Sequence, residues 1–319
     1  MALESLDEVR ALLPEMEVGG FAGTKGVEVV YGFIEVETEK GALVIVNGRN
    51  ETFVKYREVI NELTAAGFSV YTFDHRGQGF SGRMLADPHK GHVDCFADYV
   101  DDFHFFLENI VKRCPHSCCL ALAHSMGGTI TLLHELRYPG SFAAIAMTAP
   151  MLGFSTAPWP FFLVPPLLSL YEVLGLRENY VVGGGPFKSE LFTDDNPLTS
   201  DRDNYNRNQQ LMLDHSRLQL GSPTCAWVKE SLGAIKEIMA GAKKLPGSLL
   251  ILQAGADRVV NNRAQERFCR RAGSCELRVI PQARHEILME KSQLRELAIK
   301  AILEFFTLEC NPKTAKINR

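Results

Sequence analysis

The chain predicts an α/β fold, a doubly wound and mostly parallel sheet carrying a mainly helical insertion. Three observations carry this expectation. Short, continuous apolar runs such as residues 42–46 and 248–254 are what strands covered on both faces require. These runs alternate with longer segments whose apolar residues recur every three or four positions, the mark of a helix with one buried face. The alternation stops near residue 151 and resumes near 246, so residues 1–150 and 246–319 are expected to form one core and 151–245 a cap or lid inserted into it.

Taken in order, residues 1–20 show a weak helical pattern. Residues 26–37 place Val27, Val29, Tyr31 and Phe33 at every second position, which predicts opening antiparallel strands. The buried strand 42–46 ends in Asn47-Gly48-Arg49-Asn50-Glu51 and is followed by a helical segment, 52–66. Residues 68–73 repeat the strand signal and lead into Asp74-His75-Arg76-Gly77-Gln78-Gly79-Phe80-Ser81-Gly82-Arg83. That loop lacks the Gly-Lys-Ser/Thr ending of a Walker phosphate cradle, so it reads as a loop folded by its own hydrogen bonds. Residues 92–113 form a helix whose stripe of Phe96, Tyr99, Phe103 and Phe106 faces the core.

A strand at 117–123, a helix at 129–136 and a strand at 142–150 follow, and repeated strand-helix-strand order implies right-handed crossovers. The insertion is first proline-rich and aromatic (Trp159, Phe161, Phe162, Tyr171), then glycine-rich at 183–185, polar at 193–208 and helical around 225–239. The core returns with a strand at 248–254, a helix at 262–271, a strand at 275–280 and an amphipathic helix at 293–308.

Ser125 stands between a buried strand and a helix, on a turn sharp enough that the residues two before and two after must be small; they are Ala123 and Gly127. A serine hydroxyl is a poor nucleophile unless a histidine takes its proton and an acid holds that histidine in the right tautomer. On a sheet of this kind the acid follows a late strand and the histidine the last one. Asp257 and His285 occupy those places in that order, giving the candidate triad Ser125, Asp257 and His285. Backbone N–H donors for a developing oxyanion are expected from Met126, next after the serine, and from Arg49 in the Asn47-Gly48-Arg49 turn. His124 reads as a packing residue, and Glu286 and Glu290 as structural ones. The zinc pattern H-E-x-x-H fails because Met289 replaces the second histidine. Asp194 and Asp195 are the alternative triad acids.

A net charge of −4 without a long basic run points away from nucleic acid. The acidic N-terminus lacks an apolar leader, which suggests a cytoplasmic protein. The longest apolar stretch, 157–170, is interrupted by Pro158, Pro160, Pro165 and Pro166 and is too short to span a membrane. The eight cysteines show no disulfide framework, and reduced thiols packed as small hydrophobes are expected. In Cys114-Pro-His116-Ser-Cys118-Cys119 the adjacent cysteines of a strand point to opposite faces, so no metal site is expected.

Several segments together resemble bacterial lysophospholipases of the α/β-hydrolase superfamily and, more distantly, the monoacylglycerol lipases. They are Asn47 to Glu51 with Lys55-Tyr56, Asp74 to Gly79, Lys90 to Asp94, Ala123 to Gly128, Asn196 to Asp201, Arg217 to Gly221 with Pro223-Thr224, Gly255 to Val260 and Ala283 to Leu288. The resemblance implies that Ser125, Asp257 and His285 match the family's triad and Met126 and Arg49 its oxyanion positions. It departs at Asn47, where the lipases carry histidine. It implies hydrolysis of a carboxylic ester of a single-chain lipid, a lysophospholipid, through an acyl-enzyme, with no metal or cofactor. The alternatives are a monoacylglycerol lipase or carboxylesterase, an aminopeptidase of the same fold, or an inactive binding module. Trp159, Phe161 and Phe162 are expected to line the acyl pocket and to bring the protein into peripheral contact with the inner membrane. Arg49 or Arg76 at the site mouth would favour a phosphate head group.

Overall fold

The computed structural model describes residues 2–155 and 161–310. Its centre is an eight-stranded sheet of β1 (Glu17–Ala22), β2 (Glu28–Ile34), β3 (Ala42–Val46), β4 (Ser69–Phe73), β5 (Cys119–His124), β6 (Ala144–Thr148), β7 (Ser248–Ala254) and β8 (Cys275–Ile280). The strands lie in the order β1-β2-β4-β3-β5-β6-β7-β8. The β1–β2 and β2–β4 pairs are antiparallel and all others parallel. Every residue of β3, β4 and β6 is buried, as the continuous apolar runs require.

The helices of the core are α1 (Ala2–Leu12), α2 (Arg57–Ala65), α3 (Ala97–Asn109) and α4 (Met126–Arg137). Between β6 and β7 run α5 (Val164–Val173), α6 (Arg202–Asp214) and α7 (Cys225–Gly241), and the chain closes with α8 (Asn262–Cys269) and α9 (Ser292–Glu309). α7 packs against both α4 and α5. This joins the segment between β6 and β7 to the body of the sheet.

Register decides where the loops meet. β3 pairs with β5 from Ala42 opposite Cys119 to Val46 opposite Ala123, and His124 lies opposite Thr148 of β6. The three central strands therefore end level with one another. The turns after Val46, His124 and Thr148 open at one edge of the sheet, the place where parallel α/β sheets present their ligands.

Three expectations are corrected. Residues 17–22 are a strand and not the tail of an N-terminal helix, because their state is set by pairing with β2; a Cβ on Gly19 would lie 2.5 Å from the Tyr31 hydroxyl, so glycine leaves room for that ring. The helix expected from residue 92 begins at Ala97, since His92 is drawn away to Thr224 Oγ1, 3.0 Å from its Nδ1. Not all cysteines are free thiols: Cys269 at the end of α8 and Cys275 at the start of β8 bring their Cα atoms to 5.2 Å and form a disulfide.

Candidate active site

Ser125 sits at φ 50°, ψ −115°, a backbone conformation that non-glycine residues avoid. Its surroundings hold it there. The Ser125 amide donates to Thr148 O at 3.1 Å, and its carbonyl accepts from the amides of Gly128 at 3.0 Å and Met151 at 2.9 Å. Smallness is required on both sides: Ala123 is fully buried, and a Cβ on Gly127 would lie 2.1 Å from Val46 O and 2.6 Å from Asn47 O.

His285 and Asp257 reach this serine from the loops after β8 and β7. The Ser125 hydroxyl lies 2.9 Å from His285 Nε2, and His285 Nδ1 lies 2.8 Å from Asp257 Oδ2. The other carboxylate oxygen of Asp257 accepts from the amides of Val259 at 2.8 Å and Val260 at 3.0 Å. Burial works against the charged carboxylate, but the hydrogen bond and charge of His285, with those two amides, hold the Asp257 carboxyl below its ordinary range. The loop bearing His285 is tied at its own amide to Pro197 O and at the Glu286 amide to Leu198 O. The structure thus brings together the three side chains singled out from sequence. A proton can pass from serine to histidine while the carboxylate steadies the resulting cation.

The two candidate oxyanion donors lie beside this serine. Met126 is the first residue of α4, where an N–H has no intrahelical acceptor and the helix end is electropositive. A Cβ on Gly48 would lie 3.3 Å from Ser125 Cβ, so the turn containing Arg49 abuts the nucleophile.

Behind that turn stands a buried framework that sequence reasoning missed. Glu51 Oε2 accepts from the Gly48 amide at 2.5 Å and from the Tyr56 hydroxyl at 2.8 Å, and Lys55 Nζ bridges Glu51 Oε1 at 2.6 Å and Glu286 Oε1 at 2.8 Å. Asp74 Oδ1 accepts from Phe53 N at 2.8 Å and Asn47 Nδ2 at 3.2 Å, and its Oδ2 from Thr52 Oγ1 at 2.9 Å and Phe80 N at 2.8 Å. Burial pushes the Asp74 carboxyl up to about 6 despite these four bonds. Gln78 donates to Gly48 O at 2.7 Å and Glu51 O at 3.1 Å. The loop 74–83 is therefore more than self-bonded: it is the mould for the turn at 47–51. The available signal was its density of buried-type polar residues and glycines at the end of a strand.

Arg76, expected near the site mouth, is instead buried with Nε 2.6 Å from Asp102 Oδ2 and Nη2 2.6 Å from Asp102 Oδ1. Asp195 is bonded to Arg258 at 2.8 Å, and the Asp194 carbonyl to Arg284 at 2.6 Å, while Asp257 is the acid that meets His285. His124 bonds through Nδ1 to Thr148 O and Oγ1, each at 3.0 Å, and burial lowers its pKa to about 4, so it is neutral at pH 7.

Ser125 and His285 open into a cavity of about 470 Å³ whose apolar wall includes Val164, Leu167, Leu168, Tyr171, Met212 and Trp227. Trp159 and the side chain of Phe161 lie outside the described residues. Phe162 is 74 % exposed and is not part of this wall. The inward stripe of α5 is set by the spacing of Val164, Leu167, Leu168 and Tyr171, and Phe162 falls before it.

The family model described as "Serine aminopeptidase, S33" matches residues 37–292. The chain belongs to this family. It is a serine-type ester hydrolase with the α/β-hydrolase fold. Similar proteins are lysophospholipase L2 of Escherichia coli K12, 40 % identical over 300 residues covering 92 % of this chain and 88 % of that one, and a monoacylglycerol lipase of Mycolicibacterium smegmatis, 26 % identical with 86 % and 91 % covered. Among solved structures, a soluble variant of Saccharomyces cerevisiae monoglyceride lipase in complex with a substrate analog matches with a TM-score of 0.73, at 17 % identity, over 92 % of this chain and 96 % of that one. A thermostable carboxyl esterase of Bacillus coagulans matches with a TM-score of 0.78, at 16 % identity, over 93 % and 99 %. These hydrolases share its fold.

Proposed function

We propose that this hydrolase cleaves the carboxylic ester of a single-chain lipid, a lysophospholipid, through an acyl-enzyme. One observation carries the reading: the Asp257–His285–Ser125 relay opens into a cavity with a largely apolar wall. In this scheme Ser125 attacks the ester carbonyl while His285 takes its proton, and the N–H groups of Met126 and Arg49 receive the developing oxyanion. His285 then returns the proton to the departing glycerol oxygen, and water repeats the sequence in reverse on the acyl-serine. The chemistry asks for no metal or cofactor.

The likeness to lysophospholipase L2 supports the head group, and the lipase relatives support monoacylglycerol or simple ester hydrolysis as the second reading. An aminopeptidase would need a carboxylate to grip the substrate amine. The acids lining the cavity among the described residues, Glu51 and Glu286, are both spent on Lys55.

Residues 151–245 would act as the cap that selects the acyl chain. At the outward side of α5 and just after it, Leu170, Val173 and Leu174 are 52 %, 84 % and 59 % exposed, which supports peripheral contact with a lipid surface. Among the described residues no helix is long and apolar enough to cross a membrane.

The test is a screen of lysophosphatidylcholine, monoacylglycerol and aminoacyl-naphthylamides, with fluorophosphonate labelling in parallel. Lysophospholipid turnover, and labelling that disappears in Ser125→Ala, are expected. Activity confined to the naphthylamides would overturn the lipid reading, and labelling that survives in Ser125→Ala would overturn the assignment of the nucleophile.

A further inference from the structure

The cavity holds an arginine whose charge the protein leaves unbalanced. Arg49 lines the same cavity as Ser125 and His285. Its Nη2 donates to the Gly221 carbonyl at 2.5 Å, and its guanidinium carbon lies 5.3 Å from the centroid of the Trp227 ring. A Cβ on Gly91 would come within 2.3 Å of Nη2, so the group is wedged into a slot that only glycine leaves open. The slot is rigid: the Gly91 amide donates to Ser222 O at 3.2 Å, and its carbonyl accepts from Thr224 N at 2.9 Å.

Within this slot Nε is buried and has no hydrogen-bond partner. No carboxylate pairs with Arg49 among the described residues, whereas Lys55 is matched by Glu51 and Glu286 and Arg76 by Asp102 and Asp98. Burial lowers the Arg49 pKa to about 10, which leaves the group cationic at neutral pH. A guanidinium partly withdrawn from water without a counter-charge is less favourable than one that a ligand's negative charge balances.

We propose that Arg49 is the head-group residue of the substrate site and binds the phosphate of the lysophospholipid, with Trp227 and Gly91 fixing the plane of its guanidinium. Paired N–H donors match two phosphate oxygens in a way that a neutral glycerol head cannot repay. Geometry favours the same residue for both ends of the substrate. The backbone of Arg49 lies in the turn that abuts Ser125, where the ester would react, and the residue lines the cavity that Ser125 opens into, as the glycerol unit separates ester from phosphate. This inference rests on the lipid-ester reading above and names the group that selects among such esters.

The experiment compares 1-oleoyl-lysophosphatidylcholine with 1-monooleoylglycerol, which share an acyl chain, in wild type, Arg49→Met and Arg49→Lys. Loss of a charge-assisted hydrogen-bonding group should lower the ratio of the two kcat/KM values by about 10- to 100-fold in Arg49→Met, mainly through KM for the phospholipid, with partial recovery in Arg49→Lys. Equal losses on both lipids, with fluorophosphonate labelling and Tm retained, would mean that Arg49 acts only through its backbone turn and would overturn the proposal.

Glycerophosphocholine, used to inhibit hydrolysis of a neutral p-nitrophenyl ester, supplies an arm that does not depend on lysophospholipid turnover. Inhibition that weakens in Arg49→Met supports the head-group site. No inhibition of the wild type, or equal inhibition by inorganic phosphate, would overturn it. A wild type that spares lysophosphatidylcholine yet is inhibited through Arg49 would overturn the substrate reading alone.

Discussion

Replacing Gly127 by alanine adds one methyl group at the most crowded point of the elbow. The new Cβ would lie 2.1 Å from Val46 O and 2.6 Å from Asn47 O, both backbone atoms that cannot swing aside as a side-chain end can. Relief requires the end of β3 and α4 to separate by roughly 1 Å, a displacement that can cost on the order of 10²-fold in rate when it falls on reacting groups. The separation would fall between Ser125 and the turn at Asn47-Gly48-Arg49. If it removes one oxyanion donor altogether, the loss grows toward 10³-fold, about 3 to 4 kcal/mol in the barrier. The assay is kcat on a short p-nitrophenyl ester, normalised by fluorophosphonate titration of competent sites, with Tm measured alongside. A variant with wild-type kcat and Tm would refute the claim that this glycine sets the spacing between nucleophile and turn. A variant that loses Tm but keeps kcat per titrated site would show that the crowding serves stability alone.

Asp257→Asn should leave the fold intact while lowering kcat by about 10⁴-fold, because the amide disturbs the tautomer of His285; near-normal turnover would point to a different acid. Asp102→Ala strands the Arg76 guanidinium in the core and should destabilise the protein by about 3 to 5 kcal/mol in urea unfolding, toward the lower figure because Asp98 Oδ2 remains 3.5 Å from Arg76 Nη1. Burial opposes ionisation of Glu51, but the nearby charge of Lys55 outweighs it and holds this carboxyl well below the usual glutamate range. A depressed folded-state pKa gives stability that is present above the ordinary glutamate range and lost as pH falls through the folded value. Glu51→Gln should therefore flatten the fall of Tm between neutral and acid pH, and identical slopes in the two proteins would rule that out.

How much of this was legible beforehand depended on how local each signal was. β7 and β8 span the residues that their apolar patterns marked, 248–254 and 275–280. Ser125, Asp257 and His285 could be singled out because a parallel sheet places strand ends together whatever the intervening sequence. β1 escaped notice because Glu17-Val-Gly-Gly-Phe-Ala carries no alternation of its own and becomes a strand only by pairing with β2. The role of Asp74 was invisible for a related reason: its partners Asn47, Thr52 and Phe53 lie on a different connection, and no local pattern announces a bond across that distance. Phe162 has the aromatic character expected of an acyl wall but not the position, because the inward face of α5 follows the spacing of Val164, Leu167, Leu168 and Tyr171.

Lys55 has a consequence for how changes at this site will combine. Its ammonium joins Glu51, which closes the turn bearing Arg49, to Glu286, the residue after His285. The turn and the histidine loop therefore share a single strut, and moving one disturbs the other. Substitutions in the two loops should not be energetically independent. A double-mutant cycle between Glu51 and Glu286 would carry a sizeable coupling term even though neither side chain takes part in the chemistry.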